Sequence, residues 1–333
     1  MATIKDVAQL AGVSPGTISR YINGFHVKDK NREQIEYAIN KLNFKPNMNA
    51  RTLRTNRTRT IGVIIPGYSD IYSMTIVKNI EQKLYESGYY IFLCDSWGNA
   101  ELERDKVRLL LDKMVDGLII YPCSGDISYF NQLNIHNIPV VTLDLSVKNF
   151  LCDQILTDNI NATYNAVEWL VKNNHRRIGI ISSTPDNFTS SERLKGYERV
   201  HEDYGLVIDS RLVKTLGYDI NSGYQSLVEL MQSDASPTAV ITCNYHTTLG
   251  AFKAIRDFKI QIPEKLSIIG FDNIGLSDVL SPPVSIISQP MNTIGINAAE
   301  LILKRINGDY SDFPSIMRLK TDLILQESTR RLD

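Results

Sequence analysis

From residue 61 onward the chain alternates two kinds of apolar pattern. Short continuous runs, IGVIIP, YYIFLC, GLIIY, PVVTLD, RIGIIS, TAVITC and LSIIGF, recur every few tens of residues. Between them lie stretches with apolar residues at helical spacing, such as Ile76, Val77, Ile80 and Leu84, or Leu109, Leu110 and Met114. An apolar run without polar alternation suits a strand buried on both faces, and the intervening pattern suits its covering helices. The pattern therefore predicts parallel sheets in an α/β arrangement. About ten strands are many for one twisted sheet, so two subdomains are expected, split near residues 159–163.

The first 45 residues follow a different rhythm. Thr3 precedes Ile4, Val7, Ala8 and Ala11 on one helical face, with Asp6 three residues on as an acidic capping box. Gly12 can take the positive φ of a tight turn, Val13 can plug the core, Ser14 can cap a second helix, and Pro15 fits its first position. That helix is expected to run to about Asn23, and the pair makes a helix-turn-helix. A third helix, Arg32 to Leu42, turns Ile35, Ala38, Ile39 and Leu42 inward. The second helix leaves Gly16, Thr17, Ser19 and Arg20 outward: short or cationic side chains suited to a major groove, with Arg20 the reader of guanine. The stretch PNMNARTLRTNRTRT, residues 46–60, is basic and polar, contains one isolated leucine, Leu53, and offers too little apolar surface to fold by itself. It is either a plain linker or a segment that forms one or two helical turns on DNA and wedges Leu53 between base steps of the minor groove.

Charge divides the chain in the same place. Residues 1–60 hold 11 Lys and Arg against 4 Asp and Glu, net +7, and the remainder holds 25 against 33, net -8, which the overall -1 conceals. A basic head on an acidic body implies a polyanionic partner at one end and a different one at the other. The 43% apolar content is that of a globular protein. Cys94, Cys123, Cys152 and Cys243 have no metal or disulfide spacing, and no stretch reads as a signal peptide or a membrane span. A reduced, cytoplasmic protein with no membrane partner is expected.

The run from TIKDVAQLAGVSPGTISRYING through NFKPNMNARTLRTNRTRTIGVIIP resembles the LacI/GalR family of bacterial transcription regulators, and the likeness continues along the whole chain. It implies a helix-turn-helix DNA-binding domain over 1–45, a hinge helix or linker over 46–60, and an effector-binding and dimerisation domain over 61–333. The last would form two periplasmic-binding-protein-like lobes, one of about 61–160 and 291–320, the other of about 161–290 and 321–333. The family's DNA contacts would fall on Thr3, Ser14, Pro15, Gly16, Thr17, Ser19, Arg20, Asn23, His26 and Asn31, with Asn47, Ala50 and Leu53 in the hinge. Pro15 and Gly16 stand where some members carry long base-reading side chains, so the outer operator bases would be read weakly or differently. The loop GFHVKD is a residue shorter than in some members, which bears on His26.

In parallel α/β sheets ligands bind beyond the carboxyl ends of the strands. Asp144 ends PVVTLD, Asn244 follows TAVITC, Asp272 follows SIIGF, and Tyr72 lies after the first strand, so these four are expected to face one cleft. Each alone would read as a helix cap. The resemblance adds Arg193, Tyr218 and Gln289 as effector contacts. A carboxylate pair, an arginine and an amide can hold ring hydroxyls while a tyrosine covers an apolar ring face, which favours a sugar. Two positions depart from the family: Asn244 is followed by Tyr245 and His246, and Gln326 replaces a usual arginine.

Asp144 and Asp272 could instead be a glycosidase pair, but no G-x-S-x-G, Walker or dinucleotide fingerprint is present, and the five histidines lack metal spacing. No catalytic residue, metal or cofactor is expected. A solute receptor would need a signal peptide and no DNA-binding head. The expected function is a repressor of a carbohydrate-utilisation operon, binding a near-palindromic operator as a homodimer under control of a sugar or sugar phosphate. A regulator of purine or nucleoside response, or an architectural DNA-binding protein without effector, are the alternatives. No leucine heptads follow QESTRR, so a dimer rather than a tetramer is expected.

Overall fold

The computed structural model describes residues 2–22, 25–44, 57–133, 138–272, 275 and 279–333. They form two compact units, Met1–Thr58 and Arg59–Asp333.

The first unit holds α1 (Ile4–Ala11), α2 (Pro15–Ile22) and α3 (Asp29–Lys41). Thr3 and Asp6 close a reciprocal capping box on α1, and Gly12 ends it in the left-handed region at φ 63°. The core is small: Val7, Ala8, Ala11, Ile18, Ile35, Ala38 and Phe44. Ile4, expected inward, is 36% exposed. The third helix starts at Asp29 rather than Arg32, with the Asp29 charge in its first turn where it favours the helix dipole.

The second unit contains two six-stranded sheets. The first is ordered β11-β5-β4-β3-β1-β2, from β1 (Thr60–Ile65), β2 (Tyr90–Asp95), β3 (Gly117–Ile120), β4 (Val140–Leu143), β5 (Asp153–Thr157) and β11 (Ile316–Leu319). All its pairings are parallel. The second is ordered β12-β10-β9-β8-β6-β7, from β6 (Ile178–Ile181), β7 (Val213–Lys214), β8 (Ala239–Thr242), β9 (Ser267–Phe271), β10 (Ser285–Ser288) and β12 (Asp322–Ile324), the last antiparallel. Among the described residues twelve strands stand where about ten were expected. The covering helices are α4 (Ile71–Glu86), α5 (Ala100–Asp112), the single turn α6 (Tyr129–Gln132), α7 (Asn159–Lys172), α8 (Phe188–Asp203), α9 (Ile220–Gln232), α10 (Tyr245–Asp257) and α11 (Met291–Ile306). After β10 the chain returns to the first sheet, where α11 packs on α4 so closely that a Cβ at Gly295 would meet the Ile76 carbonyl at 2.7 Å. It then adds β11 there and ends on the second sheet with β12.

One expected face is corrected. Leu109 and Met114 are 45% and 63% exposed, and α5 instead buries Glu103, Val107 and Leu110. Glu103 tolerates burial because its carboxylate accepts bonds from the Cys123 N–H at 2.6 Å and the Tyr129 hydroxyl at 2.7 Å. β5 is likewise fully buried although it opens Asp153-Gln154. Arg305 on α11 pairs with Asp153 through Nε at 2.8 Å and Nη2 at 2.9 Å, and the Ser315 N–H adds a third bond.

Candidate effector cleft and nucleic-acid face

On the head unit, Thr3 caps α1 and is exposed. The Ser14 Oγ accepts from the Thr17 N–H at 3.1 Å and lies 2.9 Å from the Thr17 hydroxyl, which makes Ser14 the cap of α2. Pro15, Gly16 and Arg20 are exposed along that helix, with Thr17 and Ser19 half-buried. His26 is exposed, and Asn31 sits in the first turn of α3. A bond from the Tyr21 hydroxyl to Glu36, which also receives Arg32, fixes α2 against α3; no local pattern signals it. Asn23, Asn47, Ala50 and Leu53 lie outside the described residues, as do residues 46–56 of the expected hinge segment.

In the second unit, the seven cleft candidates all sit beyond strand ends or on the helices that follow them. Asp144 and Asp272 leave β4 and β9 with positive φ, 66° and 71°, a conformation that asparagine and aspartate tolerate better than most. Gln289 follows β10 and is the hub. Its Oε1 accepts from the Tyr72 hydroxyl at 3.1 Å and the Thr157 hydroxyl at 2.7 Å, both belonging to the first sheet and its helix α4. Its Nε2 donates to Asp272 at 2.6 Å. The other Asp272 oxygen accepts from the Tyr245 N–H at 3.3 Å. One amide thus joins the two lobes.

Arg193 is 4% exposed. Its Nε donates to Asn159 at 2.9 Å, its Nη1 donates to the Cys243 carbonyl, and its guanidinium lies 3.7 Å above the Phe271 ring. Glu192, its neighbour on α8, pairs through Oε1 with Arg318 of β11 at 3.0 Å, a second link between lobes. Asn244 caps α10: its Oδ1 accepts from the Thr247 N–H at 2.8 Å and its Nδ2 donates to the Tyr218 carbonyl. Placing Tyr245 and His246 after it leaves that cap whole.

Four polar atoms here are buried without a hydrogen-bond partner: Asp144 Oδ1, Glu192 Oε2 and the hydroxyls of Tyr218 and Tyr121. Such groups cost free energy until something meets them, so they point to a ligand. Burial pushes the Asp144 carboxyl up to about 6, opposed by Arg193 and assisted by Asp272, Asp70 and Glu192. Burial raises Asp272 as well, against the pull of Arg193 and the Gln289 bond. An open depression of about 650 Å³ borders the cleft, lined by Tyr218, Asp219, Ile220, Asn221 and His246. A larger one of about 860 Å³ lies away from all seven residues, over Leu249, Phe252, Lys253 and Ile260. Of the two, only the first touches a cleft residue, Tyr218, whose hydroxyl is one of the four unmet atoms; Asp144, Glu192 and Tyr121 line neither.

Thr157, Glu192, Asn159 and Tyr121 were absent from the sequence reading. Glu192 stands beside Arg193 in SERLKGY, and Asn159 directly follows a strand, so position alone was a signal for both. Among the described residues no group of three or more His, Cys, Asp or Glu could hold a metal ion, and no helix is long and apolar enough to cross a membrane.

Comparison with known proteins bears on both surfaces. Residues 3–47 match the model described as bacterial regulatory proteins, lacI family, and residues 167–329 match a periplasmic binding protein-like domain. The HTH-type transcriptional repressor PurR of Histophilus somni (strain 2336) is 32% identical over 334 residues, 100% of both chains. A lac repressor dimer bound to operator and the anti-inducer ONPF superposes with TM-score 0.87 at 25% identity, over 99% of each chain. The transcriptional regulator CelR in complex with cellobiose gives TM-score 0.73 at 27% identity, over 98% of this chain and 100% of that one.

Proposed function

The chain belongs to the lacI family of bacterial regulatory proteins and is a ligand-responsive transcriptional repressor rather than an enzyme; on that premise we propose that its effector is a small sugar-like molecule and its target a carbohydrate-utilisation operon. The observation that carries the sugar reading is the set of acceptors without donors, Asp144 Oδ1 and Glu192 Oε2, beside the Gln289 hub. Ring hydroxyls supply the missing donors, and Tyr72 or Tyr218 can cover a ring face. The CelR complex with cellobiose supports the same direction. A second reading, response to a purine or nucleoside, draws support from the curated relatives named PurR.

In this reading Thr3, Ser14 to Thr17, Ser19, Arg20, Asn23, His26 and Asn31 touch operator DNA, with Asn47, Ala50 and Leu53 in the hinge. Two heads of a homodimer read the halves of a near-palindromic operator. The dimer draws support from edge strand β2, where Tyr90 and Phe92 are 60% and 47% exposed beside Tyr85, an apolar edge that a second copy would cover. A cytoplasmic location goes with this role. Ligand entering the cleft replaces the links made by Gln289, alters how the lobes close, and so couples effector to operator.

Melting curves of the full-length protein against sugars, sugar phosphates, nucleobases and nucleosides test the effector class. A ligand at 100 times its Kd adds about 2.7 kcal/mol, a readily measured shift. A shift with sugars that is smaller in Asp144→Asn supports the first reading. A shift confined to nucleobases or nucleosides moves the assignment to the second.

A further inference from the structure

Two independent features of the cleft bear on the charge of what it takes. The first is the cleft's own charge. Asp144 is repelled by Asp272, Asp70 and Glu192, and Asp272 by Asp70, with Arg193 the cation that opposes both. That cation is partly committed: Nε donates to Asn159, Nη1 donates to the Cys243 carbonyl, and its face lies on Phe271. Arg318 satisfies only one oxygen of Glu192, a side chain 5% exposed, and leaves Oε2 unmet. The unmet carboxylate oxygens, Asp144 Oδ1 and Glu192 Oε2, are acceptors. They call for donors, whereas a phosphoryl group brings acceptors and a charge of about -1.5 to -2.

The second feature is the helix ends. An uncapped helix N-terminus beyond a parallel strand is a natural phosphate site, since its free N–H groups and dipole favour an anion. Here α4, α8, α9 and α10 begin at the carboxyl edges of the sheets and each is closed by its own side chain, whereas α11 has no side-chain cap but follows Gln289, which is bonded to the Asp272 carboxylate. Asp70 accepts from the Ser73 N–H at 3.1 Å, Asn187 from Ser190 at 3.0 Å, Asp219 from Ser222 at 2.9 Å and Asn244 from Thr247 at 2.8 Å. Two of these caps are carboxylates, which add repulsion to occlusion. An anion would have to displace a cap to reach the N–H groups.

Resting on the cleft as the effector site, we propose that it selects an uncharged ligand rich in hydrogen-bond donors and rejects the phosphorylated form of the same compound, with Asp144 and Glu192 as the selecting residues. Of the two effector types expected from sequence, this retains the sugar and removes the sugar phosphate. The shared chemistry, neutral and donor-rich, also fits a free purine base, so the test carries both.

Isothermal titration of the full-length repressor with matched pairs tests it: ribose and ribose 5-phosphate, glucose and glucose 6-phosphate, guanosine and guanosine monophosphate, with free guanine as a further neutral ligand. One pair is expected to show a neutral member binding at least about 100-fold more tightly than its phosphorylated partner, the scale of a like-charge penalty of several kcal/mol. Glu192→Gln and Asp144→Asn are each expected to narrow that ratio by about tenfold, because each removes one repelling charge. A phosphorylated member that binds as tightly as its neutral partner, or more so, and competes with it overturns the selection while leaving the cleft as the effector site. A ratio unchanged in both variants overturns the role of the two residues. If no member of any pair binds, the sugar and purine readings fail together, and the selection with them.

Discussion

Asp144 carries two costs that a ligand can relieve: an unmet oxygen and a carboxyl raised by burial to about 6. Its folded value lies above the unfolded value near 3.9, so the folded state binds the proton more tightly, and stability falls as pH rises from about 4 to about 6. Asp144→Asn removes that penalty. The variant is expected to melt roughly 2 to 4 °C above wild type at pH 7, corresponding to about 1 to 2 kcal/mol after allowance for the partial exposure of the group, with the gap closing below pH 4. Melting curves at pH 7 and 3.5 check both parts. Arg193 behaves in the opposite sense. Arg193→Ala strips charged donors from Asn159 and Cys243 and is expected to lower stability by about 2 to 4 kcal/mol in a urea titration, which makes it a poor probe of ligand binding alone. Asp144 and Asp272 were legible in the sequence because each ends an uninterrupted apolar run. The roles of Glu192, Thr157 and Tyr121 were not, since their meaning depends on neighbours brought from distant parts of the chain.

The elements divide in the same way. Strands written as continuous Ile and Val runs, such as β1 and β9, announce themselves, because burial on both faces leaves no polar alternation. β5 does not, since Asp153 and Gln154 break the run and only partners outside the strand explain their burial: Arg305, 152 positions away, and Ser315 for Asp153, and the Val147 backbone for Gln154. Replacing Arg305 with Met leaves Asp153 charged and unpaired inside the first sheet, and a loss of about 3 to 5 kcal/mol is expected by denaturant unfolding. The antiparallel contact of β12 and the short β7 carry too few residues to show a pattern at all. Helix contacts are equally specific. A Cβ at Gly250 would meet the Ile220 carbonyl at 2.1 Å and the Tyr224 nitrogen at 2.7 Å, both backbone atoms. Gly250→Ala is expected to force α9 and α10 apart and cost about 3 kcal/mol, read as an earlier unfolding midpoint at unchanged m-value.

At the scale of the whole molecule, a head with a small core and short exposed side chains along α2 is joined in sequence to a body whose two sheets share a polar seam. The division was visible as a charge step of net +7 against net -8 at residue 60. What the body binds was visible only in outline, because the seam is made of bonds between lobes that no local pattern encodes. In the proposed mechanism this seam controls the grip on DNA. The most direct test is the Kd of the full-length protein for its operator, at fixed salt, with and without a saturating amount of the compound that raises its melting temperature. A change of at least about fivefold is expected, matched by the same factor in the ligand's Kd when operator is present, and reduced in Asp144→Asn at the same ligand concentration. An operator Kd that stays the same with the cleft filled would contradict the account.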